Sequence, residues 1–148
     1  MSEKFETTIK KRLSKYSLGK WKQTHDGGLA SPGYKPDRVY QKASRRIIVE
    51  IEASTSRKGF LGGYLKAQKF LESKSSSRNS ALLFLQKGER TSVDSIRNQV
   101  VEYHEWLRDS GIPVRPVYLM DVKELFRMPL RKTELFSRDF FSFSVAVR

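Results

Sequence analysis

Hydrophobic and polar residues alternate along this chain with two different periods, and the period changes from segment to segment. Phe5, Ile9, Leu13 and Tyr16 recur at helical spacing, which predicts a helix over 2–17 with Lys4, Lys11 and Lys15 on its outer face. Ser2 can cap its start and Gly19 can end it. A short strand is expected over 20–25. Residues 26–36 hold three glycines and two prolines and read as a loop. A strand over 37–42 and a turn at Ala43-Ser44 lead into Arg46–Ala53 (Arg-Ile-Ile-Val-Glu-Ile-Glu-Ala), whose β-branched residues suit the buried centre of a sheet.

The second half continues the alternation. Phe60, Tyr64, Ala67 and Leu71 share a face and predict a helix over 59–73, which Gly62 and Gly63 weaken. A polar loop (74–80) and a buried strand (81–86) follow. Val93, Ile96, Val100, Tyr103 and Leu107 mark a helix over 91–110, with a capping-box-like pair at Thr91 and Asp94 and Gly111 at its end. Residues 114–120 read as a strand that Pro116 places at an edge or bulge. A short helix opens at Asp121 and breaks at Pro129. Phe141, Phe143, Val145 and Val147 alternate with small residues, which predicts a one-sided strand over 141–147. The order α β β β α β α β α β is that of an α/β sandwich in which the first three strands can form a meander. One domain over residues 1–148 is the economical organisation.

Composition narrows the function classes. The chain has 29 Lys+Arg against 16 Asp+Glu, a net charge of +13, which points to a polyanionic partner, most often nucleic acid. The absence of cysteine excludes a disulfide scaffold, a thiolate metal site and a cysteine nucleophile. Met1-Ser2-Glu3-Lys4 leads into no apolar run and no segment approaches the roughly 18 apolar residues of a membrane span. The expectation is a cytoplasmic protein without a membrane partner. The charge is uneven: +5 over 1–24, +1 over 25–54, +6 over 55–90, −2 over 91–126 and +3 over 127–148. The nearly balanced segment, lying between the two most basic ones, holds the acidic residues of interest.

Along the strand at 46–53, Ile48, Glu50 and Glu52 share one face, and Ile47, Val49, Ile51 and Ala53 the other. Two carboxylates about 7 Å apart then project from an otherwise apolar strand. Burying them unpaired is expensive, and a divalent cation with hard oxygen ligands relieves that cost. Two alternatives stand beside this reading. The strand can be an edge with a solvated Glu face, or each Glu can pair with a nearby arginine such as Arg45 or Arg46. Pro36-Asp37 opens the preceding strand, and a hairpin would bring Asp37 beside Glu50, although Asp after Pro is also ordinary turn chemistry.

Pro36-Asp37 followed by Glu50-Ile51-Glu52 resembles the motif of the PD-(D/E)XK nucleases, a family that includes type II restriction endonucleases and archaeal Holliday junction resolvases. The flanks fit as well: a basic amphipathic helix first, a Gly-rich loop before the Pro-Asp, and a helix with Lys66 and Gln68 after the motif strand. The resemblance covers roughly residues 1–90. It implies a restriction-endonuclease-like αβββαβ core with a mixed central sheet flanked by helices. It also implies that Asp37 and Glu50, with the Ile51 carbonyl as a possible further ligand, hold Mg²⁺ or Mn²⁺. The third motif position, usually Lys, is Glu52 here, which leaves it as a metal ligand or a general base, with Lys66 the nearest substitute for the usual lysine. Glu6 on the first helix is the better candidate over Glu3 for an additional acidic residue.

The implied activity is metal-dependent endonucleolytic hydrolysis of DNA. Lys10, Lys11, Arg12, Arg57, Lys58 and Lys69 are candidates to hold the DNA backbone. For any one of them a solvated helix face is the ordinary alternative. A homodimer is expected because cutting two strands calls for two sites, with the strand at 141–147 and the helix at 91–110 as interface candidates. The alternative function is a non-catalytic DNA- or RNA-binding module that keeps the nuclease-like fold. His25, which could approach the site, and His104 read as structural residues. Trp21, Tyr34 and Tyr40 read as core rather than as bases' stacking partners.

Overall fold

The computed structural model describes residues 2–52, 57–87 and 93–148, without the side chains of Ser2, Glu3, Arg57 and Lys58. The elements are α1 (Ser2–Leu13), β1 (Lys22–Asp26), β2 (Arg38–Lys42), β3 (Arg45–Glu52), α2 (Arg57–Ser73), β4 (Ala81–Gln86), α3 (Val93–Asp109), β5 (Val117–Asp121), α4 (Val122–Arg127), α5 (Arg138–Phe141) and β6 (Val145–Val147). The expected α/β class holds, and the element order is the expected one with an additional helix, α5, before the last strand. Among the described residues the six strands form one mixed sheet in the order β1-β2-β3-β4-β5-β6. β1, β2 and β3 are an antiparallel meander. β3, β4 and β5 are parallel, with α2 and α3 as their crossovers, and β6 returns antiparallel to β5. No helix among the described residues is long and apolar enough to cross a membrane.

Helices cover both faces of the sheet, so its central strands must be apolar on both sides. Every residue of β4, Ala-Leu-Leu-Phe-Leu-Gln, is buried. On one side Ile47, Val49, Leu83 and Leu85 pack against Ile9 and Leu13 of α1, Leu125 of α4 and Phe140 of α5. On the other, Ile48, Leu82, Phe84 and Leu119 pack against Phe60, Tyr64 and Leu71 of α2 and Ile96, Val100 and Leu107 of α3. β3 is therefore an interior strand, and the edge-strand alternative does not hold.

Several boundaries move. Helix α1 stops at Leu13 rather than at residue 17, because Tyr16 turns into the core and its hydroxyl donates to the carbonyls of Leu125 (2.8 Å) and Met128 (3.0 Å). Gly19 adopts φ +55°, a backbone conformation that L side chains rarely adopt and that glycine takes without strain. β5 begins at Val117 and lies inside the sheet. Pro116 stands just before it, where its missing N–H removes no ladder bond, and its carbonyl accepts from Leu82 N. The one-sided strand over 141–147 shrinks to Val145–Val147. Ser137 caps α5, which carries Phe140 into the core and stacks Phe141 on Tyr118 at 4.0 Å. Gly111 ends α3 as expected, with Ile112 N donating to Leu107 O. The expected roles of Ala53 and Thr91 fall outside the described residues.

Arg12 is a correction of another kind. Its guanidinium donates to the carbonyls of Phe126 (3.2 Å) and Met128 (3.0 Å) and lies over the Tyr16 and Phe126 rings. Those carbonyls belong to the C-terminal end of α4, which leaves acceptors without intrahelical donors. Arg12 in the last turn of α1 and Tyr16 just after that helix satisfy them, so Arg12 docks α1 against α4. Tyr16→Phe strips both donated bonds, removing the hydroxyl from the Leu125 carbonyl and leaving Met128 O with Arg12 alone. It is expected to lower stability by about 1–2 kcal/mol, read as a lower urea midpoint at unchanged slope.

Candidate active site

The β2–β3 register pairs Arg38 with Val49, so the residue before Arg38 stands opposite Glu50. Asp37 does not continue the ladder through its backbone. Its carboxylate Oδ2 accepts from Ile51 N at 2.6 Å and serves as the next rung. Backbone groups of successive strand residues point to alternate neighbours. The Glu52 carbonyl accepts from Lys87 N on the β4 side, so the Ile51 carbonyl points the other way, toward Asp37. A turn of loop and one strand thus set two carboxylates and a carbonyl at one corner.

Glu50 and Glu52 project from β3 toward α2. They line a cavity of about 540 Å³ with Tyr34 and Lys35 from the β1–β2 loop and Gly59, Gly62, Gly63 and Lys66 from α2. The positions 59, 62, 63 and 66 share one helical face, so the helix turns three glycines and a lysine toward the carboxylates. A Cβ on Gly63 would touch Glu50 Oε2 at 3.7 Å, whereas one on Gly62 would meet nothing. The glycines that weaken α2 as a helix keep its wall of the cavity low.

On the α1 side, Glu6 and Asp37 share a hydrogen bond between their carboxyl groups. Lys10 lies 3.6 Å from Glu6 and 2.7 Å from Asp26, and Arg38 Nε lies 3.4 Å from Asp26. Arg38 is buried and also donates to Lys10 O, Ser14 Oγ and Tyr40 Oη. Lys10, expected among the cations that hold nucleic acid, instead neutralises acids inside the cluster.

The electrostatics follow from burial and crowding. Burial pushes Asp37 up, the proton shared with Glu6 adds to this, and the Ile51 N–H works against it. That bond to Asp37, with Lys10, holds Glu6 below its usual range. Glu50 is pushed up to about 8, first by burial and then by the charges of Asp37 and Glu52; the Tyr34 hydroxyl, donating at 3.3 Å, opposes the shift. Burial alone raises Glu52. No cation among the described residues forms an ion pair with Glu50 or Glu52. Arg45 and Arg46 lie at the other end of β3, where they bond Asn79 O and Ser76 Oγ. The arginine-pairing alternative therefore fails as well.

Four expected residues, Glu6, Asp37, Glu50 and Glu52, come together. Lys66 lines their cavity from an exposed position, and Lys69 lines an adjoining recess of about 410 Å³ with Tyr34 and Phe70. Lys11 is exposed on α1. Arg57 and Lys58 open α2, but their side chains lie outside the described residues. Gln68 faces away, exchanging bonds with the backbone of Arg115 at 2.8 and 2.9 Å. His25 bonds Thr24 and abuts Phe70, and His104 is buried against the Tyr64 hydroxyl at 2.7 Å. Sequence reasoning missed Tyr34, Lys35, Asp26 and Arg38 as members of the site. An aromatic inside a Gly/Pro loop was the available signal for Tyr34; Arg38, the first residue of the largely polar strand Arg-Val-Tyr-Gln-Lys, offered none.

Among the described residues no group of three or more His, Asp or Glu side chains is placed to hold a metal ion. The donors on offer are two carboxylates and a carbonyl. They fit a hard divalent cation in one respect: they are carboxyl groups that burial and mutual repulsion disfavour as anions, with no counter-cation at Glu50. The folded protein holds the Glu50 proton more tightly than the unfolded chain. Stability from this group is therefore full below the ordinary carboxylate range and lost as pH rises toward 8. Glu50→Gln is expected to raise the melting temperature at pH 8 by at least about 5 °C and to leave pH 4 little changed. Mg²⁺ should raise the melting temperature of the wild type at pH 8 and not that of Glu50→Gln.

No protein-family model, no curated protein and no solved structure matches this chain, so the function of the cluster has to be read from its own residues and their surroundings.

Proposed function

We propose that this chain is a metal-dependent endodeoxyribonuclease with a restriction-endonuclease-like core. The single observation that carries the reading is the placement of Asp37 beside Glu50 across the β2–β3 hairpin, joined by the Asp37–Ile51 bond. The helix, the three-stranded meander and the parallel β4 reached through α2 are the arrangement that the motif resemblance calls for.

Asp37 and Glu50, with the Ile51 carbonyl, would hold Mg²⁺ or Mn²⁺. Such an ion, when bound, polarises the scissile phosphate, lowers the pKa of water and stabilises the leaving oxygen. Glu52, buried with a raised pKa, is the candidate to take the proton as the water oxygen bonds to phosphorus and the bond to the leaving oxygen breaks. Lys66 and Lys35, at the cavity wall, are placed to hold phosphate oxygens. Glu6 and Lys10 act through Asp37 and are positioning residues.

A second reading, a nucleic-acid-binding module without activity, is favoured by Glu52 at the position where the resembled motif has lysine. A homodimer belongs to the first reading, since two strands need two sites. α3 exposes Tyr103 and Trp106, the latter 64 % exposed, and β6 is a sheet edge. Sedimentation at micromolar concentration is expected to give a dimer, and a monomer removes the two-site version.

The expected result is DNA cleavage that requires Mg²⁺ or Mn²⁺ and falls on the order of 10²-fold or more in Asp37→Asn and Glu50→Gln, with DNA binding kept. Duplex, junction, flap and single-stranded substrates are the panel to use. Binding without cleavage of any of them, with either metal, supports the second reading. If Glu52→Lys raises cleavage, Glu52 is a departure from a working motif. If that change abolishes cleavage, Glu52 has its own role.

A further inference from the structure

The directions of the strands separate two kinds of charge. β3, β4 and β5 are parallel, so Glu50 and Glu52 stand at the pole where all three end. At the opposite pole, Arg45 starts β3, Lys42 pairs with it from β2, and Val147 pairs with Val117, which brings Arg148 there. Two clefts open at this pole. One, of about 760 Å³, is lined by Lys42, Arg45, Arg138 and Arg148, with Glu134 as its carboxylate. The other, of about 630 Å³, is lined by Arg78, Arg108, Arg115 and again Arg148, with Glu72 as its carboxylate. Arg148 borders both and makes the basic surface continuous. Of these groups only Arg115 and Glu72 form an ion pair among the described residues.

Apart from Arg115, these cations form no ion pair among the described residues, although Arg108 donates to the Arg148 main-chain oxygen. Lys42 Nζ and Arg45 Cζ both lie over the Trp21 ring, at 5.0 and 5.1 Å, and Arg148 Cζ lies 6.0 Å over Tyr118, itself stacked on Phe141. Aromatic faces attract a cation while leaving its outer N–H groups free. An array of unpaired cations at fixed positions repels itself, and a polyanion relieves that repulsion while binding. Guanidinium forks suit phosphate oxygens in particular.

Arg45 is five to seven residues along β3 from Glu50 and Glu52, about 17–23 Å. That is roughly the rise of five to seven base pairs, too far for this pole to grip the phosphate at the carboxylates. We infer that the pole is a second nucleic-acid face, which holds a separate stretch of phosphodiester backbone by charge and reads no base sequence. The inference goes beyond the proposed cleavage and does not depend on it.

The test is binding of a labelled DNA duplex with all metal chelated, so that cleavage plays no part. Lys42→Glu/Arg138→Glu/Arg148→Glu is expected to weaken binding at least about 10-fold and to lower the slope of log affinity against log salt by about three. Lys15→Glu/Lys123→Glu/Arg131→Glu has the same net charge and alters exposed cations that line neither cleft. It should weaken binding by less than about 3-fold, since only the general field changes. Should the first variant fold poorly, Lys42→Gln/Arg138→Gln/Arg148→Gln replaces it, with the same direction expected. Equal weakening by both sets, an unaffected pole variant, or a wild type that binds no duplex overturns the inference. A protein that binds through this pole but never cuts would retire the nuclease reading alone.

Discussion

Two carboxyl groups forced together in a poorly solvated corner constrain this structure more than any other contact. Asp37 and Glu50 repel each other, and burial adds to the cost of ionising either. The fold tolerates them through several small concessions. The Ile51 N–H and the Tyr34 hydroxyl each donate to one of them, Glu6 shares a proton with Asp37, and Lys10 links Glu6 to Asp26. These concessions come from three elements, so the corner exists only where α1, the β1–β2 loop and β3 are all in place. An arrangement that costs stability in the absence of a ligand is retained where the ligand repays it, which is the physical content of a site.

The rest of the molecule is built to carry that cost. β3 is clamped between an antiparallel and a parallel neighbour, and its apolar residues feed two separate cores. Such a strand resists the bending that would let Glu50 and Glu52 swing into solvent. The weaker wall is α2, where Gly62 and Gly63 trade helix propensity, about 1 kcal/mol each, for open space over the carboxylates. Rigid strand and low helix wall together leave the acids fixed in position but reachable.

The sheet was legible in the sequence because its strands and helices have distinct periods. Ala81–Gln86 was readable as a buried strand from its five apolar residues Ala81 to Leu85, and the pairing of Asp37 with Glu50 followed once a hairpin joined their strands. What was not legible depends on contacts distant in the chain. Nothing in the spacing of α1 shows that Arg12 and Tyr16 spend their polar groups on the carbonyls at the end of α4, more than a hundred residues away. Lys10 likewise reads as a helix-face cation until Asp26 arrives beside it. At the C-terminus the alternation of Phe141 to Val147 is real, yet Ser137 winds its first part into a turn of helix before the chain can pair. Periodicity reports which residues prefer burial and says little about which partner a polar group finds.

Residue 52 shows how far local charge governs this corner. The charge of Glu52 is one cause of the raised pKa of Glu50. A lysine there would change the local charge by two and pull Glu50 down instead. With glutamate, burial and the neighbouring carboxylates raise the pKa of Glu50, and the two lysines that line the same cavity, Lys35 and Lys66, come from the β1–β2 loop and from α2. The positive charge beside this cavity is then held on other elements than the strand that carries the acids. The same separation recurs on a larger scale, since cations line two clefts at the far pole of the sheet. The parallel run of β3, β4 and β5 is what keeps these two charge fields apart.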